Sequence, residues 1–297
     1  MKEEFSMIDM SFWQAVAKER IHERPDAPGR LKGKIAVVTG GAQGLGLGLA
    51  QIIYREGASV MLADLNEQGA LAAAQALGER ADAMRADVTR EEDVAALVQK
   101  TVDRFGGIDL FVSNAGIVRS GPLDKLEKED FDLVTSVNYT GFFLCAKYAS
   151  VIMTAQHEAD PAWTGDIVTI NSKSGLIGSS RNFAYAGSKF GAVGLVQSFA
   201  MELYPRRIKV NAVCPGDYLE GPLWSDPEKG LFRQYFLAGK VPGAKSVEEV
   251  KYFYEHRTPM GRGCLPEDVA CALLYVVEQQ YETGQAIPVT GGQIMLA

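Results

Sequence analysis

The sequence predicts an α/β fold, a single doubly wound parallel sheet flanked by helices. Three observations predict it. Short apolar runs bounded by turn residues alternate with longer stretches of helical periodicity. The first strong run leads into a glycine-rich turn that opens a helix. Polar residues suited to chemistry stand at the ends of the runs, the edge where an open α/β sheet receives its ligand. The 297 residues are enough to bury a full core as one domain.

Residues 1–31 precede the first strand and are charged, with Phe5, Ile8, Met10, Phe12 and Trp13 interspersed and a breaker from Pro25 to Gly29. They read as an amphipathic arm packed on the domain or on a neighbour. A membrane-surface role is the alternative, which the mixture of acidic and basic residues disfavours. The domain, residues 32–297, begins with a buried strand over 34–39. A turn from Gly40 to Gly46 and an apolar helical pattern through Tyr54 follow. Residues 59–63 form a second strand, 67–77 an alanine-rich helix, and 82–86 a short third strand. Residues 94–105 are helical, 109–113 a fourth strand, 131–153 mostly helix and 166–171 a fifth strand. A long helix over 183–203 precedes strands at 208–213 and 286–290. Right-handed crossovers then bring Thr39, Asp64, Asp87, Asn114, Ser172 and Pro215 to one edge of the sheet.

The strand, glycine turn and helix start form a phosphate cradle. Glycines let the backbone approach a pyrophosphate, and the free N–H groups and dipole of a helix N-terminus favour its negative charge. The spacing is Gly-x-x-x-Gly-x-Gly, which differs from the Gly-x-Gly-x-x-Gly of the dinucleotide fingerprint. A purely structural turn is the alternative. Tyr185 and Lys189 stand at i and i+4 of a helix, about 6 Å apart along its axis. A fixed ammonium there favours the phenolate and pulls the tyrosine below its ordinary value, making Tyr185 a base for an alcohol proton. Ser172, at the end of the fifth strand, is placed to hydrogen-bond the same substrate oxygen, with Ser174 as its rival.

With both signals in order the chain resembles the short-chain dehydrogenase/reductase family. The motifs that carry the resemblance are Thr39-Gly-Gly-Ala-Gln-Gly-Leu-Gly46, Asp87-Val88, Asn114-Ala115-Gly116, Asn138, Tyr185-Ala-Gly-Ser-Lys189 and Pro215-Gly216. It covers roughly residues 32 to 297 and implies a Rossmann-type fold with Asn138, Ser172, Tyr185 and Lys189 as the catalytic four. It further implies a nicotinamide cofactor held by Gly40, Gln43, Gly44, Leu45, Gly46, Asp64, Leu65, Asp87, Val88, Asn114, Ala115, Gly116, Tyr185, Lys189, Pro215 and Gly216. Asp64 selects NAD, because an acidic side chain there bonds the adenine ribose hydroxyls and repels a 2′-phosphate. Capping of the next helix is its alternative role. Where the family often carries Thr after Pro-Gly, this chain has Glu220, and no replacement is evident.

Residues 170–178, 259–264 and 289–295 look like those of the sorbitol-6-phosphate 2-dehydrogenases within that family. That implies interconversion of D-sorbitol 6-phosphate and D-fructose 6-phosphate. An unphosphorylated polyol or other secondary alcohol, and a catalytically idle NAD-binding sensor, are the alternatives. By the same analogy residues 217–262 are the variable cap over the substrate, although their aromatics equally suit ordinary packing. The substrate-binding candidates are Ser172, Lys173, Arg181, Asn182 and Tyr185, with Lys173 foremost for the phosphate because a dianion needs basic partners. The family usually forms tetramers through the long helices around the active site. Surplus apolar residues such as Phe142, Phe143, Val193, Val196 and Phe199 fit a homotetramer contact.

Composition narrows the field further. Thirty basic against 37 acidic residues give a net charge of −7, which argues against nucleic acid as the main partner. Cys145, Cys214, Cys264 and Cys271 form no Cys-x-x-Cys pair, and no secretory or membrane-spanning apolar stretch is seen, so a cytoplasmic enzyme is expected. His22, His157 and His256 are scattered and read as surface residues, so no metal site is expected.

Overall fold

Ser11–Glu19 (α1) is the first element of the computed structural model, which describes residues 8–295. Phe5, one of the apolar residues expected in the arm, lies outside that range, as do the last two residues of the domain. Met10 and Ala17 of the arm are buried, and Ile8, Trp13 and Val16 pack on the core, so the arm is docked along its own domain. Arg20 fixes it by donating to the carbonyls of Val102 and Asp103, the latter at 2.9 Å.

The main body alternates as predicted. Ile35–Thr39 (β1), Gly44–Arg55 (α2), Ser59–Asp64 (β2), Glu67–Leu77 (α3), Ala81–Arg85 (β3), Glu91–Phe105 (α4) and Leu110–Ser113 (β4) make the first half. Lys128–Thr135 (α5), Gly141–Ala159 (α6), Gly165–Ile170 (β5), Phe183–Leu203 (α7) and Ile208–Pro215 (β6) follow. The chain closes with Pro222–Ser225 (α8), Leu231–Leu237 (α9), Val247–Arg257 (α10), Pro266–Glu278 (α11) and Ala286–Val289 (β7). The seven strands lie in the order β3-β2-β1-β4-β5-β6-β7, and every pairing is parallel. This is the doubly wound sheet expected, and β1 with β4 forms its switch point, where ligands enter such folds.

β1 is buried at all five positions because both faces of a parallel sheet are covered. Alternate side chains serve opposite cores. Ile35 and Val37 join α4, α6 and α7, whereas Ala36 and Val38 join α2, α3 and α11. Helix α11 adds an element that the periodic reading left unassigned. Its start is set by Pro266 in the first turn and by Asp268, whose carboxylate accepts from the Leu265 N–H at 2.9 Å. The helix expected over 131–153 is α5 and α6, interrupted by a π-helical turn over Ser136–Thr140 that contains Asn138. Such single π turns recur at functional sites because they re-aim a side chain.

The segment 217–262 builds a small satellite core of its own. Trp224, Leu231, Phe232, Tyr235, Val250 and Tyr254 are buried together, with the Trp224 ring 4.9 Å from Tyr254 and 5.1 Å from Phe232. Most of its aromatics are therefore packing residues, while Tyr252 is 62% exposed. Phe142 and Val196 are likewise core residues, not surplus surface. The exposed apolar side chains of α5, α6 and α7 are Phe131, Leu133, Phe143, Phe190 and Met201. Among the described residues no helix is long and apolar enough to cross a membrane.

Candidate active site

Gly40 has φ +66°, and a Cβ on it would meet the Asn114 amide at 2.9 Å. Gly46 is tighter still, since a Cβ there would lie 2.0 Å from the Gly40 carbonyl oxygen. The turn needs glycine at both places for backbone to pass backbone. Helix α2 then begins at Gly44 behind Gln43, whose side chain gives it no cap. An uncapped helix N-terminus beside bare glycine backbone is the donor set a pyrophosphate requires. The residues present fit a dinucleotide on this ground.

Asp64, at the end of β2, accepts from the Ala42 N–H at 3.0 Å and the Asn66 N–H at 2.9 Å. The cap of α3 is Asn66, which accepts from the Gly69 N–H at 3.1 Å, so Asp64 does not perform the capping role. Leu65 beside it is 59% exposed. Asp87 accepts from the Thr89 N–H and hydroxyl at 3.0 and 2.7 Å, and Val88 is buried against Gly141. Asn114 and Ala115 both donate their backbone N–H groups to the Thr39 hydroxyl, which joins the ends of β1 and β4. Gly116 lies against Asn138, and Gly216 lies so close to Gln293 that a Cβ would be 2.5 Å from its amide oxygen. All of these stand on the carboxyl edge of the sheet.

The candidate catalytic residues converge on the same edge from β5, α7 and the π turn. Ser172 follows β5, and its hydroxyl oxygen accepts from the Ser174 N–H at 3.0 Å. Ser174 is buried beneath it. Asn171, which sequence reasoning overlooked, fixes this loop. Its amide oxygen accepts from the Ser172 N–H at 2.8 Å while its nitrogen donates to the Lys189 carbonyl at 3.0 Å. Only its place before the serine could have signalled it. Lys189 is buried, donates from Nζ to the Ile170 carbonyl at 2.8 Å, and stands 5.7 Å from the centre of the Tyr185 ring. Asn138 clamps the loop after β4, accepting from the Ile117 N–H at 2.9 Å and donating to the Ile117 carbonyl at 3.0 Å. It also reaches the Ser188 hydroxyl at 3.2 Å.

The electrostatics correct one expectation. Burial pushes the Tyr185 phenol up to about 12, with the Ser172 hydroxyl pulling the other way and Asp217 pushing further up. Tyr185 is not brought below its ordinary value as the spacing to Lys189 suggests, because its own burial dominates; burial also brings Lys189 down to about 8.

The substrate candidates divide. Lys173 does not stand open to an anion: its Nζ lies 2.5 Å from the Asp217 carboxylate and donates to Gln293 at 3.0 Å. Arg181 has φ +58° and donates to the Ala238 carbonyl, tying the loop before α7 to the cap. Asn182 is buried, with its amide oriented so that the oxygen accepts from Tyr235 and Lys240 and the nitrogen reaches the Ser120 hydroxyl at 2.9 Å. Glu220 is exposed. Asp217, Gln293 and Lys240 escaped the sequence reading because their partners are 44 to 120 residues distant in the chain. Of the three histidines, His157 is half-buried with Nδ1 unpartnered, so it is not a plain surface residue.

Residues 34–225 match the family model described as short chain dehydrogenase. The chain is 37% identical to the sorbitol-6-phosphate 2-dehydrogenase of Escherichia coli (strain K12), over 88% of this chain and 99% of that one. It superposes on the crystal structure of sorbitol-6-phosphate 2-dehydrogenase from Erwinia amylovora with a TM-score of 0.79 at 38% identity, covering 88% and 100%. It also superposes on a 3-ketoacyl-(acyl-carrier-protein) reductase from Brucella melitensis complexed with NADH, with a TM-score of 0.76 at 28% identity, covering 89% and 99%.

Proposed function

The chain belongs to the short-chain dehydrogenase/reductase family, oxidoreductases acting on CH–OH groups, and we propose that it interconverts D-sorbitol 6-phosphate and D-fructose 6-phosphate with NAD. The observation that carries the dehydrogenase chemistry is the meeting of Tyr185 with the Ser172 hydroxyl on one side and the Lys189 ammonium on the other. Likeness to the two sorbitol-6-phosphate 2-dehydrogenases supports the substrate. The carboxylate of Asp64 at the mouth of the cradle supports NAD over NADP.

The cradle, Asp64, the Asp87–Val88 and Asn114–Gly116 turns and Pro215–Gly216 would hold the dinucleotide. When bound, its oxidised nicotinamide supplies the acceptor for the hydride. Ser172 orients the alcohol oxygen, and Tyr185 takes the hydroxyl proton as the C–H bond breaks and the carbonyl forms. Lys189 holds positive charge 5.7 Å from the centre of the tyrosine ring. Asn138 positions this group through Ile117 and Ser188. The exposed apolar residues of α5, α6 and α7 support a homotetramer, for which a mass measurement by light scattering is the check.

NAD reduction rates over matched phosphorylated and free polyols test the substrate. Sorbitol 6-phosphate should give the highest kcat/KM. A preference for a free polyol would reassign the substrate and leave the dehydrogenase chemistry standing, whereas no turnover of any alcohol or ketone would favour a sensor.

A further inference from the structure

If the substrate carries a terminal phosphate, the protein must offer it a cation that is not already matched. Lys173 is matched by Asp217, and Arg181 is held against the Ala238 carbonyl. Lys240 differs from both. It follows α9 at the inner side of the cap, half-buried, with its Nζ 3.1 Å from the Ser179 hydroxyl and 3.0 Å from the Asn182 amide oxygen. The ammonium lies 4.1 Å from the centre of the Tyr235 ring, and among the described residues it joins no carboxylate ion pair. Its partners are thus neutral oxygens and a ring face, each able to orient the charge and none able to cancel it.

Two further facts connect this lysine to Tyr185. Asn182, which it contacts, immediately precedes α7 and stands three residues before Tyr185. Tyr235, over which it lies, belongs to the satellite core against which Tyr185 packs. The charges bearing on Lys240 are those of Asp217, Lys173 and Arg257. Lys173 and Asp217 are already paired with each other, so neither supplies the match that Lys240 lacks.

We propose that Lys240, with the Ser179 hydroxyl beside it, is the anchor for the substrate's terminal phosphate, and that its unmatched ammonium selects phosphorylated over free polyols. This rests on the reading of the substrate given above. An acyclic polyol held at one end by Ser172 and Tyr185 would carry its phosphate toward the start of α7, where Lys240 contacts Asn182. A lysine suits the task as a compact point charge able to approach a dianion from several directions. Burial brings Lys240 down to about 8, which leaves it mostly charged at neutral pH, and an arriving anion would hold that charge in place.

The test compares the unmutated enzyme with Lys240→Met and Lys240→Arg. The quantity read is the ratio of kcat/KM for sorbitol 6-phosphate to that for sorbitol. Lys240→Met should lower the ratio roughly ten- to hundredfold, and Lys240→Arg should recover part of the loss. An unchanged ratio in Lys240→Met would overturn the proposal and leave Lys240 as a support for Asn182 and the start of α7. Inhibition of sorbitol oxidation by inorganic phosphate gives a second measurement that does not require a phosphorylated substrate. Inhibition at least about tenfold weaker in Lys240→Met supports the anchor, and equal inhibition in both proteins sinks it. If the unmutated enzyme prefers free polyols, the substrate reading falls, and this second measurement still decides whether Lys240 is an anion site.

Discussion

Lys173 and Asp217 form a largely buried ion pair at 2.5 Å that ties the residue after Ser172 to the residue after Pro215-Gly216. Gln293 closes the arrangement, accepting from Lys173 at 3.0 Å and donating to Asp217 at 2.9 Å and to the Thr258 hydroxyl at 2.9 Å. Three segments remote in sequence thereby set the loop that carries the serine. A side chain held this way positions the site; it is not left open to meet a substrate anion.

Lys173→Ala should therefore lower kcat/KM on sorbitol 6-phosphate and on free sorbitol by similar factors, since both depend on the placement of Ser172. Breaking one partner of a buried pair costs about 3–5 kcal/mol, so its unfolding midpoint in denaturant should also fall. Loss confined to the phosphorylated substrate would return Lys173 to the phosphate.

The Tyr185 phenol, held up to about 12 by burial, is mostly protonated at neutral pH in the free enzyme. For alcohol oxidation the active form is the phenolate, so kcat/KM should rise with pH. Through about 8, the midpoint at which Lys189 loses its charge, the rise should flatten. A pH profile that falls between about 6 and 8 would contradict this assignment. Tyr185→Phe should reduce turnover about 10²- to 10⁴-fold with cofactor affinity little altered.

Asp64→Ala should shift preference toward NADP. The carboxylate that repels a 2′-phosphate is gone, and the ratio of kcat/KM for NAD over NADP should fall roughly tenfold or more. Equal use of the two cofactors by the unmutated enzyme would remove the basis for this role.

Gly46→Ala should harm cofactor binding before it harms the catalytic group. Its new Cβ would sit 2.0 Å from the Gly40 oxygen, so the turn and the start of α2 must separate. Overpacking of this kind costs about 1–3 kcal/mol. Titration of NAD by tryptophan fluorescence should show weaker binding, and undiminished affinity would mean that the turn is looser than its contacts imply.

The sequence by itself determined the sheet, because strand burial and helix amphipathicity are written at periods of two and 3.6 that neighbouring residues share. It also determined the cradle and the Tyr185–Lys189 spacing, which are local backbone and helix-face relationships. The tertiary structure alone decided the partners of charge. That Lys173 meets Asp217, that Lys240 faces Asn182 and Tyr235, and that burial raises the Tyr185 phenol depend on desolvation and on contacts between segments. The π turn at Asn138 also waited on the fold, since one extra backbone residue per turn leaves little periodic trace, whereas α11 was legible in the helical spacing of Val269, Ala270, Leu273, Leu274, Val276 and Val277 and was overlooked. Periodicity is a property of neighbours in the chain, whereas the energy of a charge is a property of its neighbours in space.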